Sequence, residues 1–221
     1  MGALSLGLDD TLQSYLLEVS LHEPEACQRL REQTRTLSQG MMISSPEQVQ
    51  MLLLLFKLQD ASKGLEIGTF TGYTSLRLTL GMPSLQMTCC DVSEEFTNIA
   101  REHWHKAGVA DRIDLRLAPA ELSLQGMIAE GQQGQFDFAY IDADKTGYRE
   151  YVESCLQLVR SGALIAIDNV LWSGSVADPE DQSEDTVALR ELNAWLYQQA
   201  PGRFDLSLVP IGDGLTLLRK F

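Results

Sequence analysis

Histidine is scarce in this chain, with three residues in 221, and the four cysteines form no Cys-x-x-Cys pair. His22 stands alone. His103 and His105 are two apart on one expected helix, so they face different sides and cannot share a metal. Cys27, Cys89, Cys90 and Cys155 show no zinc or dithiol spacing, which points to a reducing cytoplasm. Cys89 and Cys90 lie in one expected strand and serve as small core residues on its opposite faces. Long apolar runs are missing as well. Met51-Leu52-Leu53-Leu54-Leu55-Phe56 is too short to span a bilayer, and no basic start leads into an apolar run, so no secretory signal is expected. Basic residues are outnumbered 17 to 31, for a formal charge of −14. Nucleic acid and anionic membranes are therefore poor partners, and small or neutral ligands good ones. Without a linker or an internal repeat, residues 1–221 read as one domain. Its 1–44 segment is an N-terminal helical arm or lid, and 45–221 is the core.

The stretch Gly64-Leu65-Glu66-Ile67-Gly68-Thr69-Phe70-Thr71-Gly72-Tyr73 organises the rest. Leu65 and Ile67 end a buried strand, two glycines permit a tight turn, and a helix follows. A dinucleotide site would need Gly-x-Gly-x-x-Gly, whereas these glycines are four apart with bulky Phe70 between them. Glu66 at the strand end is expected to be an ionised acceptor, suited to an ammonium or to hydroxyl donors. Any glycine turn of an α/β protein remains the alternative.

Around this turn the pattern alternates. The arm reads as two helices within residues 9–39, the second opened by Pro24 and running through Leu37. Ser45 is placed to cap a helix that starts at Pro46. Strand Leu85–Asp91 is followed by a helix capped by Ser93, with Phe96, Ile99, Ala100, His103 and Ala107 on its buried face. Strands over 113–117, 136–142 and 163–168 alternate with helices over 121–130 and 148–159. That alternation means crossovers and a parallel sheet. Helix 186–200 then leads to strands 204–209 and 215–219, joined at Gly212-Asp213-Gly214 as a hairpin that adds an antiparallel strand. Met41, Met42 and Met51 are expected to fill core, and the acidic run from Asp178 to Asp185 to be a solvated loop.

Polar residues collect at the carboxyl ends of strands, where open α/β sheets bind ligands. Asp91 ends the second strand, where a ribose diol needs a bidentate acceptor. Asp142, Asp168 and Asn169 end two strands successive in the chain. Their donors are all oxygen, a set that selects Mg²⁺, Mn²⁺ or Ca²⁺. Solvated strand-end caps are the plainer alternative. Trp172 could wall an aromatic ring or simply pack in the core.

Taken in order, Glu66–Tyr73, Lys106-Ala107-Gly108-Val109, Tyr140–Lys145, Asp168–Gly174 and Pro210–Gly214 resemble the cation-dependent O-methyltransferases of the caffeoyl-CoA and catechol type. The resemblance runs from about Met41 to the C-terminus. It implies a Rossmann-like S-adenosylmethionine-dependent methyltransferase fold, with a seven-stranded, mostly parallel sheet and an antiparallel last strand. It also implies a homodimer, a divalent cation and a vicinal dihydroxy aromatic acceptor. By the same resemblance Asp142, Asp168 and Asn169 are metal ligands, and Lys145, with Asp142, is catalytic, the lysine as general base. Ser44, Glu66, Gly68, Thr69, Thr74, Asp91, Ala120 and Asp144 correspond to cofactor contacts. Val49 stands where relatives often carry glycine, and Ser173 where plant enzymes place a substrate-touching asparagine. The lysine that plant members offer to a coenzyme A tail has no counterpart here, so a CoA ester is not the expected acceptor. Two rivals use the same residues: a tRNA hydroxyuridine O-methyltransferase, and a non-catalytic adenosyl-ligand-binding protein.

Overall fold

The short apolar runs of the core become strands in the computed structural model, which describes residues 7–221. β1 (Lys63–Ile67), β2 (Gln86–Asp91), β3 (Ile113–Leu117), β4 (Phe136–Ile141) and β5 (Val159–Ile167) alternate with α4 (Tyr73–Gly81), α5 (Glu94–Lys106), α6 (Ala120–Ala129) and α7 (Tyr148–Leu158). α8 (Glu184–Gln199) then precedes β6 (Phe204–Val209) and β7 (Leu215–Lys220). The seven strands form one sheet in the order β3-β2-β1-β4-β5-β7-β6. β1 to β5 pair in parallel, while β7 is antiparallel to both β5 and β6. This is the expected seven-stranded, mostly parallel sheet with an antiparallel last strand. The hairpin is real, but its second strand inserts inside its first, leaving β6 at the edge. Strand order reverses between β1 and β4, which opens a crevice at their carboxyl ends.

Side-chain alternation assigns each residue to a face. Leu65, Ile67, Cys90, Ala139 and Ile141 pack under α6 to α8, while Cys89, Phe138, Tyr140 and Ala166 face the other layer. Cys89 and Cys90 thus divide as expected, and all four cysteines are buried and free. In that second layer Phe56 stacks on Phe138 with ring centroids 3.7 Å apart. Burying such a side chain contributes about 1.5–3 kcal/mol.

The N-terminal elements are α1 (Asp10–Ser20), α2 (Glu25–Arg35) and α3 (Pro46–Leu58); the first six residues of the expected arm lie outside the described residues. Cys27 and Leu30 of α2 join Tyr73, Leu76, Ala100 and Trp104 in a third cluster. Polar ties add to it. Thr34 and Thr71 share a buried hydroxyl bond of 2.8 Å, Tyr73 donates to Glu23 at 2.5 Å, and Arg77 donates to the His22 carbonyl at 2.8 Å.

Some local expectations change. α2 stops at Arg35 rather than Leu37, with Thr34 bonded back to the Leu30 carbonyl. β5 begins at Val159, where the apolar period of α7 seemed to continue, because Val159 pairs with Phe136 across an irregular register. Ser93 caps α5 by accepting from the Phe96 amide, but Ser45, at the cap position of α3, makes no capping bond. His103 is buried on α5 and bonded to Gln33 at 2.9 Å, a structural histidine. Among the described residues no helix is long and apolar enough to cross a membrane.

Candidate active site

The turn after β1 holds its shape through glycines, though not chiefly to admit a ligand. Gly68 has φ +83°, and a Cβ there would lie 1.8 Å from the Asp142 carbonyl oxygen. Gly72 has φ +79°, and a Cβ would strike Ala100 and Trp104 of α5. Both glycines therefore permit close packing of the turn on its neighbours, and that packing brings β1 and β4 together beneath the crevice.

The crevice is a cavity of about 1120 Å³. Every residue expected at the catalytic, cofactor or cation site lines it: Ser44, Glu66, Gly68, Thr69, Thr74, Asp91, Ala120, Asp142, Asp144, Lys145, Asp168 and Asn169. The structure thus brings the candidates of both kinds into one chamber. Phe70, with φ 51°, meets Phe96 edge-on at 4.6 Å and forms an aromatic wall on the Asp91 side.

Glu66 differs from expectation. It is almost fully buried, its Oε2 has no partner, and burial pushes its carboxyl up to about 8 against the pull of Cys89, Ser75 and Thr69. In the ligand-free chain burial favours the protonated acid over the expected ionised acceptor. An orphaned carboxyl oxygen on a cavity wall suits the ammonium of an amino-acid ligand, which would return it to the charged form. Asp91 also differs. Its Oδ2 accepts from the Thr69 and Phe70 amides at 2.9 and 2.7 Å, and its Oδ1 from the Ser93 amide at 2.8 Å. Of a carboxylate's roughly four lone-pair positions, one is left for a ligand hydroxyl.

At the other end, Asp142 follows β4, and Asp168 and Asn169 follow β5. Asn169 takes φ 58°, a left-handed conformation that asparagine tolerates. The segment after it rests on the β6–β7 turn: the Val170 amide donates to the Gly214 carbonyl and the Leu171 amide to that of Asp213. Lys145 is buried in a 3₁₀ turn. Its Nζ donates to Asn169 Oδ1 at 2.7 Å and Tyr148 Oη at 2.6 Å, and lies 3.4 Å from Asp142 Oδ1. The Trp172 ring is 5.5 Å from the same nitrogen and lines the cavity. Burial raises the pKa of both Asp142 and Asp168, the latter also through the charge of the former. The buried Asp168 carboxylate, the half-buried Asp142 carboxylate and the Asn169 amide oxygen form an oxygen set of the kind that fits a hard divalent cation, with one ammonium touching two of them.

A family model of the O-methyltransferases matches residues 17–221. The chain belongs to that family. It is 40% identical to the catechol O-methyltransferase domain-containing protein 1 of Mus musculus over 96% of this chain and 80% of the relative. It is 39% identical to a caffeoyl-CoA O-methyltransferase of Eucalyptus gunnii over 100% of this chain and 91% of that one. The solved structure of a Podospora anserina methyltransferase with bound S-adenosylhomocysteine superposes at a TM-score of 0.87, with 28% identity and full coverage of both chains. An O-methyltransferase of Bacillus cereus in complex with the same ligand gives 0.85 at 27% identity, covering 95% and 97%. The activity class is S-adenosylmethionine-dependent O-methyl transfer.

Several residues of the methyltransferase site were not evident in the sequence. Gln48 and Tyr140 touch the Asp168 carboxylate, and Tyr151 donates to Asp144 at 2.7 Å. One signal for Gln48 was available, since it shares the buried i, i+4 face of Leu52 and Phe56. Met41 and Met42, expected in the core, are 91% and 57% exposed at the cavity rim. Asp185, from the acidic run, also reaches the cavity.

Proposed function

We propose that this enzyme methylates one hydroxyl of a vicinal dihydroxy aromatic of catechol or caffeate type, with S-adenosylmethionine as donor and a divalent cation as helper. One observation carries the reading. The all-oxygen set Asp142, Asp168 and Asn169 lines the same chamber as the orphaned Glu66, and Lys145 Nζ touches two of its members, Asp142 and Asn169. The names of the murine and plant relatives, catechol and caffeoyl-CoA, support a phenolic acceptor.

In this reading Glu66, Ser44 and Thr74 hold the amino-acid end of the donor. Asp91, Ala120, Gly68, Thr69 and Asp144 serve the remainder. Asp142, Asp168 and Asn169 hold Mg²⁺, or Mn²⁺ or Ca²⁺ in its place. The bound cation supplies positive charge that favours the phenolate of a chelating diol. That help is needed, because a phenol with a pKa near 10 is only ~0.1% ionised at neutral pH. Lys145 Nζ, fixed by Tyr148 and Asn169, would take the hydroxyl proton as the free amine, having first passed one ammonium proton to solvent. Trp172 walls the acceptor ring, and the chamber aligns oxygen and methyl, so most of the acceleration is positioning.

The arm closes the chamber as a lid, a role supported by Ser44 on its wall and Met41 and Met42 at its rim. Location in the cytoplasm fits the four free cysteines. Homodimer formation belongs to the same reading, supported by α1, which buries none of its residues and exposes Tyr15 and Val19. A tRNA acceptor is disfavoured by the charge of −14, and a purely ligand-binding role by the presence of Asp142, Asp168 and Asn169 together with Lys145. The test is Asp168→Ala. It should abolish turnover while S-adenosylhomocysteine still binds in calorimetry, since Asp168 follows β5 and no residue assigned to the donor does. Retained turnover would remove Asp168 from the reading.

A further inference from the structure

Tyr140 lies in β4, two residues before Asp142, and its hydroxyl is 3.5 Å from Asp142 Oδ2. Its ring is buried, and its hydroxyl donates to Asp168 Oδ2 at 2.5 Å. Gln48 reaches the same oxygen from α3, 120 positions earlier in the chain, with Nε2 to Oδ2 at 2.6 Å. Gln48 is itself 1% exposed. Its amide is oriented by this contact, because a carboxylate oxygen accepts and only the NH₂ end can donate. The Asn169 amide occupies Asp168 Oδ1 at 2.7 Å. A carboxylate offers about four lone-pair positions, and here protein donors take both on Oδ2 and one on Oδ1.

We propose that Tyr140 and Gln48 are positioning residues that clamp the Asp168 carboxylate, so that it offers a cation one oxygen, Oδ1, and not both. The proposal rests on the reading of Asp168 as a cation ligand. The clamp has a chemical consequence. Mg²⁺ demands near-octahedral, one-oxygen ligation, whereas Ca²⁺ readily takes a carboxylate by both oxygens. A carboxylate with Oδ2 committed to Tyr140 and Gln48 therefore favours the smaller ion. The clamp also continues toward the donor side: Thr74 Oγ1 donates to Ser44 Oγ at 3.2 Å, and Ser44 Oγ lies 3.1 Å from Tyr140 Oη. The orientation of Asp168 is thus tied to residues assigned to the donor.

The experiment titrates Mg²⁺ and Ca²⁺ into the full chain with S-adenosylhomocysteine present, by calorimetry, and follows Mn²⁺ by its paramagnetic resonance. Wild type, Tyr140→Phe, Gln48→Met and Asp168→Ala are compared. Phenylalanine keeps the buried ring and methionine the length of Gln48, so each removes the hydrogen bond with little change of volume. Retained S-adenosylhomocysteine binding shows that the chamber is folded; if Tyr140→Phe fails this check, Gln48→Met carries the test alone. Each clamp variant should lose roughly 10–100-fold in Mg²⁺ affinity and clearly less in Ca²⁺ affinity, narrowing the preference between them. Wild-type affinity for both ions in both variants, with Asp168→Ala still losing them, would overturn the clamp and leave the proposed function standing. An equal loss for both ions would reduce the pair to general packing and overturn it too. If Asp168→Ala binds the ions like wild type, the cation reading falls, and the clamp with it.

Discussion

Replacing Glu66 with glutamine keeps the side chain's shape and removes its titration. Burial pushes this carboxyl up to about 8 in the ligand-free fold, from an ordinary 4.5. Between those two values the folded chain holds a proton that the unfolded chain has released, so stability must fall as pH rises. The contribution is complete below about 4.5 and is lost as pH passes through about 8. At 1.36 kcal/mol per unit, the whole interval is worth on the order of 5 kcal/mol. Urea unfolding of wild type and Glu66→Gln at several pH values between 5 and 8 measures it as the difference between two slopes. Wild type should lose stability relative to the variant as pH rises; parallel curves would refute the buried proton. The same residue makes a binding prediction. When an ammonium pairs with Glu66, the carboxyl ionises, so S-adenosylhomocysteine binding at pH 7 should release close to one proton. Calorimetry in buffers of different ionisation enthalpy reads that number. Glu66→Gln should release none, and a wild type that releases none would refute the pairing.

Removing residues 1–35 deletes Glu23, His22 and Thr34, the partners of Tyr73, Arg77 and Thr71. The sheet should still form, while acceptor use falls; unaltered kinetics on small diols would dismiss the lid. Sedimentation equilibrium should give twice the 24.5 kDa chain mass, and a single-chain mass would dismiss the homodimer.

Much of this architecture was legible because strands and helices write different periods into a sequence. The run to Ile67, the mostly apolar run at Phe136–Ile141 and the cap at Ser93 each rest on a few adjacent residues. The gathering of Asp142, Asp168 and Asn169 on one cavity was legible for a related reason: polar residues at the ends of apolar runs must surface at one edge of a parallel sheet. What stayed hidden depends on distant contacts. No local pattern shows that β7 slips between β5 and β6, or that Gln48 meets Asp168. The unpaired state of Glu66 depends on burial by neighbouring strands and helices, not on its motif. Glycines 68 and 72 were legible as a turn, but their tight packing on Asp142 and Trp104 was not. Met41 and Met42 were misplaced because apolarity alone does not distinguish a core from the rim of a chamber.

In the proposed function Asp142, Asp168 and Asn169 would hold a divalent cation that favours the phenolate of a vicinal diol, and methyl transfer itself tests this most directly. Purified enzyme is supplied with labelled S-adenosylmethionine and either a catechol or its mono-hydroxy analogue, with and without EDTA. Transfer to the catechol alone, abolished by EDTA and restored by added Mg²⁺ or Mn²⁺, is the predicted result. Undiminished transfer in EDTA, or equal rates on the two phenols, would contradict it.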